Sequence, residues 1–261
     1  MRTQFKQRPL AFVVVLALTA VESPLRGASI GLSTEPLVSV VLHEPVIVSL
    51  TLRNVASSSA QITVGRATEN SYRILVTRPN GERRESKRQI LGVAEIGWVT
   101  LVPGAAYSQS ILLNEWASFD TPGRYSVSVT LPDAIAPALL QVEVAPPDPA
   151  RLRVVCQDLA SVALAQNVPN ALSASRALSF VDDSMAVTFL ASIAAAKEYE
   201  TAFDGLERIG GVEVVDALAA IVKHGNRDAP RLARSRLLKM RETSKDAFVK
   251  AAAEAALSTP R

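Results

Sequence analysis

From about residue 36 to residue 145 the hydrophobic positions of this chain recur every second residue. In PVIVSLTLRN, Val46, Val48, Leu50 and Leu52 fall on one side and Ile47, Ser49, Thr51 and Arg53 on the other, the alternation that a strand with one solvated face requires. GRYSVSVTL is cleaner, with Tyr125, Val127, Val129 and Leu131 set against Ser126, Ser128 and Thr130. The stretches LVSVVLH, AQITVG, SYRILVTR, GWVTLV, AYSQSILLN and ALLQVEVA are predicted as further strands. In RPNGE, Pro79, Asn80 and Gly81 stand where a tight hairpin wants them, and VPG and TPG punctuate the chain later. Eight or so strands in about 110 residues, with no helical period among them, predict an antiparallel β-sandwich. Tyr72 and Trp98 are expected in its core, and Trp116 as a plug at one end.

The period changes after APPDPA at 145–150. Prolines cannot extend the ladder of the preceding strand, and Asp148 followed by Pro149 is a helix start with the carboxylate as N-cap. Seven short helices are predicted, over about 150–166, 170–180, 184–196, 200–209, 212–223, 229–242 and 245–257. Their apolar pattern is written twice, because Leu178, Val181, Val187, Leu190 and Ile193 return as Leu206, Ile209, Val215, Leu218 and Ile221. LLKM (237–240) and DAF (246–248) give a weaker third copy of LERI and DAL, with one residue lost in a turn. A short helix pair cannot cover its own apolar stripe, whereas stacked copies cover one another, so the repetition predicts an α-solenoid.

Two resemblances follow from these residues. FDTPGRYSVSV carries Asp120, Gly123 and Tyr125 as D-x-x-G-x-Y, the sequence form of a tyrosine corner. With HEPVIVSLTLRN, it resembles the immunoglobulin-like domains of bacterial exported proteins, although His43 and Glu44 stand where those domains usually have glycine. ALSFVDDSMAVTFLA and GLERIGGVEVVDALAAI resemble HEAT-like repeats of the short variety named after the phycobilisome lyases, over residues 170–257. The resemblances imply a two-domain, all-β then all-α chain: a leader over 1–28, an immunoglobulin-like sandwich over 29–146 and a HEAT-like helical domain over 147–261. The pigment attachment of the named lyases is not a property of the repeat itself.

Charge changes the picture at one end. Arg2, Lys6 and Arg8 precede the apolar run LAFVVVLALTAV, which matches a secretory signal with cleavage after Ala20, or alternatively after Ala28. A membrane anchor is the competing reading, but the run falls short of the roughly 20 residues that a spanning helix needs. Residues 1–28 hold four Lys or Arg and one acidic residue, which accounts for the whole formal net charge of +3. The remainder is nearly neutral, so no global electrostatic footprint for nucleic acid or an anionic membrane is expected. Location in the periplasm or outside the cell is the expectation.

Candidate chemistry is sparse. Cys156 is the single cysteine and falls at helical spacing with Leu152, Val155, Leu159 and Ala163, so a buried, inert thiol is predicted. His43 and His224 have no ligand-type neighbours at metal spacing, and no nucleophile elbow, phosphate loop or dinucleotide fingerprint occurs. Asp182 and Asp183 read as a cap, and Glu198, Glu200 and Asp204 as a solvated turn and cap. We therefore expect no catalytic, cofactor or metal residues.

One cluster stands out: Lys223, Arg227, Arg231, Arg234, Arg236, Lys239 and Arg241 are opposed in sequence only by Asp228. Arg227, Arg231, Arg234 and Arg241 are predicted to share one side of a helix. They are the partner-binding candidates, for a protein with an acidic surface. A plain solvated face is the competing reading. The function predicted is that of an exported, non-catalytic binding or scaffold protein of a bacterial envelope. A protease-inhibitor-like β-domain and a lyase-like enzyme remain the alternatives.

Overall fold

A computed structural model describes residues 30–64, 71–86, 97–132, 134–166 and 170–258. The leader expected over 1–28 lies outside the described residues. The first strands are β1 (Ile30–Thr34), β2 (Leu37–Val41), β3 (Ile47–Asn54), β4 (Ala60–Val64) and β5 (Arg73–Thr77). They are followed by β6 (Arg83–Ser86), β7 (Gly97–Leu101), β8 (Ala106–Leu112), β9 (Gly123–Thr130) and β10 (Ala138–Ala145). The helices are α1 (Pro149–Leu164), α2 (Ala171–Leu178), α3 (Ala186–Lys197), α4 (Glu200–Ile209), α5 (Val212–His224), α6 (Ala229–Thr243) and α7 (Ala247–Ser258). Among the described residues the chain is thus a β region followed by seven helices.

Among the described residues the strands form three sheets, ordered β1-β3-β8, β2-β10-β9-β5-β6 and β4-β7. The period-two pattern sets the burial: Val46, Val48, Leu50 and Leu52, and likewise Tyr125, Val127, Val129 and Leu131, all enter one hydrophobic core shared by the sheets. The predicted hairpin forms between β5 and β6, with Gly81 in the left-handed region at φ 86° and its N–H donating to Arg78 O. The Tyr125 hydroxyl donates to Thr121 O at 3.0 Å and accepts from Thr121 N at 3.2 Å, tying the incoming loop to β9. Asn54, at the end of β3, is fully buried; its amide donates to Ser58 O and Leu101 O, and Oδ1 accepts from Ala56 N. His43 adopts φ 73° in the turn before β3, a backbone suited to glycine.

Three expectations are corrected here. β2 pairs in parallel with β10, so the strands are not all antiparallel. β2 and β3 are consecutive in sequence yet join different sheets, so no hairpin turn between them dictates their pairing. β1 escaped the sequence reading because Gly31 and Ser33 dilute its alternation. Tyr72 is buried as expected, but Trp98 is 63% exposed. Val99 and Leu101 take the inward positions of β7, so Trp98 shares the outward face with Thr100. Trp116 is buried in the core, as the plug reading requires.

The Asp148 carboxylate accepts from Ala150 N and Arg151 N, opening α1 at Pro149 as predicted. The helices pack pairwise, α1 on α2, α3 on α4 and α5 on α6. Odd-numbered helices follow one another in one row and α2, α4 and α6 in a second, with α7 packed on α5 and α6. Of the echoed positions all are buried except Ile209, which is half-buried. The third copy needs a correction: Phe248 is 81% exposed and Val249, 4% exposed, occupies the core place. Val249 follows Leu218 by the same 31 residues that separate Leu237 from Leu206, so no residue is lost in the turn.

Cys156 is completely buried on the core side of α1. Burial, and secondarily the Asp183 carboxylate, push its thiol up to about 11. Only the thiolate reacts. Iodoacetamide at pH 8 is therefore expected to leave the folded protein unmodified and to alkylate Cys156 fully in denaturant. Rapid labelling of native protein, followed by mass spectrometry, would contradict this.

Candidate functional site

The turns at one end of the helical region are cross-linked by hydrogen bonds. α5 ends at His224, and Gly225 to Asp228 lead into α6. Gly225 has an ordinary φ of −70°. A Cβ there would lie 2.6 Å from Ile221 O, so close approach is what demands glycine. Asn226 N donates to Ala195 O at 3.3 Å, and Asp228 N donates to Glu198 Oε1 at 3.0 Å, joining the α5–α6 turn to the α3–α4 turn. Lys197 Nζ reaches Ala165 O, just past α1, at 3.2 Å.

These turns frame an open cleft of about 690 Å³, lined by Gln166, Lys197, Glu198, Tyr199, Asn226 and Arg227 among others. Two of its residues hold left-handed backbone: Glu198 at φ 58° and Arg227 at φ 45°. Arg227 was a candidate from sequence. Gln166, Lys197, Tyr199 and Asn226 were not, because they come from three separate turns that only folding brings together.

The remaining cations divide sharply. Arg236 donates through Nη2 to Glu200 Oε2 at 2.7 Å and Asp204 Oδ1 at 2.8 Å, and through Nη1 to Glu207 Oε2 at 3.1 Å. Lys239 pairs with Glu207 as well. The sequence reading opposed this cluster with Asp228 alone, and that is corrected: α4 presents Glu200, Asp204 and Glu207 on the face turned to α6. Burial raises the Asp204 carboxyl above its usual range; Arg236 opposes that rise, while Glu200 and Glu207 add to it. The reading of Glu198, Glu200 and Asp204 as a solvated turn and cap is corrected in part: Glu200 is exposed as expected, but each of the three also holds a partner in another helix or turn. Asp183 does serve the approach to α3, accepting from Met185 N at 2.8 Å.

Of the four arginine candidates, Arg227 lies in the turn before α6, and Arg231, Arg234 and Arg241 lie on it. Arg231 meets Asp228 at 3.5 Å with both side chains about two-thirds exposed, a contact of little energetic worth. Arg234 is half-buried, with Nη2 donating to Leu257 O at 3.4 Å. Arg241 pairs with its neighbour Glu242 at 3.3 Å, about 15 Å along the axis from Arg231 at 1.5 Å per residue. The structure therefore disperses the four: Arg234 fastens α7, Arg227 lines the cleft, and Arg231 is exposed on the first turn of α6.

A second feature, absent from the sequence reading, joins the β and helical regions. Glu115, in the 3-10 turn Leu113–Glu115 after β8, accepts from Nε and Nη2 of Arg176 on α2, and both side chains are buried. Arg151 on α1 donates to Ser39 O at 2.8 Å and pairs with Glu44 at 3.0 Å. No local pattern could reveal partners 61 or 107 residues apart. Among the described residues no three His, Cys, Asp or Glu side chains gather as metal ligands would, and no helix is long and apolar enough to cross a membrane.

No protein-family model and no curated protein matches the chain. Among solved structures it is similar in part to a β-glucosidase from Listeria innocua in complex with isofagomine, at 16% identity over 44% of this chain and 16% of that one, with a TM-score of 0.29. An alkylpurine DNA glycosylase from Pseudomonas fluorescens, bound to DNA with an abasic-site analogue, matches at 16% identity over 44% of this chain and 31% of the other, with a TM-score of 0.25. The CARDB domain of a Pyrococcus furiosus protein matches at 12% identity over 45% of this chain and 93% of that domain, with a TM-score of 0.24. The chain thus spans about one sixth of the β-glucosidase, and each likeness is confined to less than half of its own length.

Proposed function

We propose that this protein is an exported, non-catalytic binding or scaffold protein of a bacterial cell envelope, working in the periplasm or outside the cell. Its β region is an immunoglobulin-like sandwich and its helical region a HEAT-like α-solenoid, and its partner is another protein with an acidic surface. Supporting the repeat reading are the two helix rows and the stripe from Leu178 to Ile221, whose residues pack into one core shared by the helices, with Ile209 half-buried at its edge. The Tyr125 tether and the left-handed His43, at the position where related domains carry glycine, support the sandwich reading.

The observation that carries the binding proposal is the division of the cations. Arg236 and Lys239 are consumed by α4, and Arg234 by α7, whereas Arg227 lines an open cleft and Arg231 is exposed on the first turn of α6. A stable contact there would bury about 800 Å² per partner, with arginine supplying much of the affinity. Charge reversal belongs at these two positions and not at Arg234, where it would also loosen α7. In native envelope, crosslinking to the mature protein is expected to yield a discrete adduct that Arg231→Glu weakens and Arg227→Glu/Arg231→Glu abolishes, with the circular dichroism of both variants unchanged. Equal adduct formation by the double variant and the parent would reject this surface.

A further inference from the structure

We propose that the cleft between the α1 end, the α3–α4 turn and the α5–α6 turn is a receptor for one carboxylate of an acidic peptide segment, recognised by Arg227. The inference rests on the protein-binding reading above and adds a ligand chemistry to it.

The starting point is the backbone. A residue with a Cβ is disfavoured in the left-handed region, where glycine is the natural choice, especially just past a helix end. Two such residues, Glu198 at φ 58° and Arg227 at φ 45°, line this one cleft. Glu198 has a reason within the fold to be other than glycine, since its carboxylate accepts from Asp228 N and stitches the two turns. Arg227 has none: its side chain is exposed, and among the described residues its guanidinium donates to no acceptor and meets no carboxylate. The fold therefore carries a conformational cost at Arg227 with no return among the described residues, as residues retained for binding do.

The surroundings specify what is bound. A guanidinium offers two parallel N–H donors that match the two oxygens of a carboxylate. The Tyr199 hydroxyl, without a hydrogen bond among the described residues, and the amides of Gln166 and Asn226 add neutral donors in the same cleft. Lys197 adds a second cation, already held by Ala165 O. Glu198 contributes a negative charge to the same wall, which disfavours a multiply charged group such as a phosphate and favours a single carboxylate. The cleft is open and of a size that accepts a few residues of extended chain, so a side-chain carboxylate on a passing segment fits better than a sealed small molecule.

The test uses the full mature chain and a blocked tetraglutamate peptide, followed by calorimetric titration. We expect saturable binding that added salt weakens and that tetralysine does not reproduce, with acetate and inorganic phosphate binding more weakly than the peptide. Arg227→Gly is expected to raise Tm by about 2–4 °C through relief of the left-handed strain. The same variant should weaken the peptide by about 10- to 100-fold, the worth of a charged hydrogen-bonded pair; Arg227→Lys should fall between. A more stable protein that binds less well is a combination no purely structural role can produce. The proposal is overturned if tetraglutamate fails to bind the parent chain or if Arg227→Gly binds it equally well. A fall in Tm for Arg227→Gly overturns it too, since the side chain would then serve the fold. Any of these results leaves the broader protein-binding reading standing so long as Arg231→Glu still weakens the crosslinked adduct.

Discussion

Arg176→Ala is expected to lower the stability of the protein by about 3–5 kcal/mol, the usual cost of stripping one partner from a buried ion pair. Glu115 sits in a 3-10 turn after β8 with a side chain only 4% exposed, and Arg176 reaches it from α2 through two N–H groups. Removing the guanidinium takes from this buried carboxylate the two N–H donors that Arg176 supplies across the joint. The joint has a second fastening, Arg151 on Glu44 and Ser39 O. That pair is more exposed and therefore worth less. Urea unfolding should be followed by Trp116 fluorescence for the β region and by helical circular dichroism for α1 to α7. The parent should show one transition by both probes, and Arg176→Ala two. The double change Glu115→Leu/Arg176→Met is expected to recover most of the loss, because an apolar pair of similar volume removes the desolvation cost along with the attraction. A loss below about 1 kcal/mol in Arg176→Ala would show that the pair is not what joins the regions.

The second large effect is a contrast between two positions that the sequence aligns. Leu218→Ala should cost about 2–5 kcal/mol, since Leu218 is completely buried in the helical core and its removal leaves a cavity. Phe248→Ala should change stability by no more than about 0.5 kcal/mol, because Phe248 stands in solvent. Val249→Ala should resemble the first of these in sign and exceed the second in size. Chemical denaturation of the three variants, at constant m-value, decides the register of the last repeat. A Phe248→Ala cost equal to that of Leu218→Ala would restore the alignment of DAF with DAL.

Much of the chain was legible because the relevant physics is short-ranged. The alternation in β3 and β9, the Asp148–Pro149 helix start, the Pro79-Asn80-Gly81 turn and the Tyr125 tether each depend on residues within a few positions of one another. Cys156 was placed correctly because helical spacing alone put it beside Leu152 and Ala163. The misreadings have a common cause. Trp98 looks like core by residue type, but which side of β7 faces inward is decided by its pairing with β4, where it stands opposite Thr63. Glu200, Asp204 and Glu207 look solvated by local sequence, and only the packing of α4 on α6 delivers Arg236 to them. Among the arginine candidates, only the packing of α7 on α6 separates Arg234, which donates to Leu257 O, from the exposed Arg227 and Arg231.

The sequence by itself determined that the β region precedes the helices and set the period of most elements, β1 excepted, along with the stripe that leads the helices to share their apolar faces. The tertiary structure alone decided which charges are spent between helices and which stay exposed, how β2 joins β10, and which turns meet to frame a cleft. Periodicity and capping are written by neighbours along the chain, whereas the choice of a distant partner depends on the register between packed elements, which no local pattern encodes.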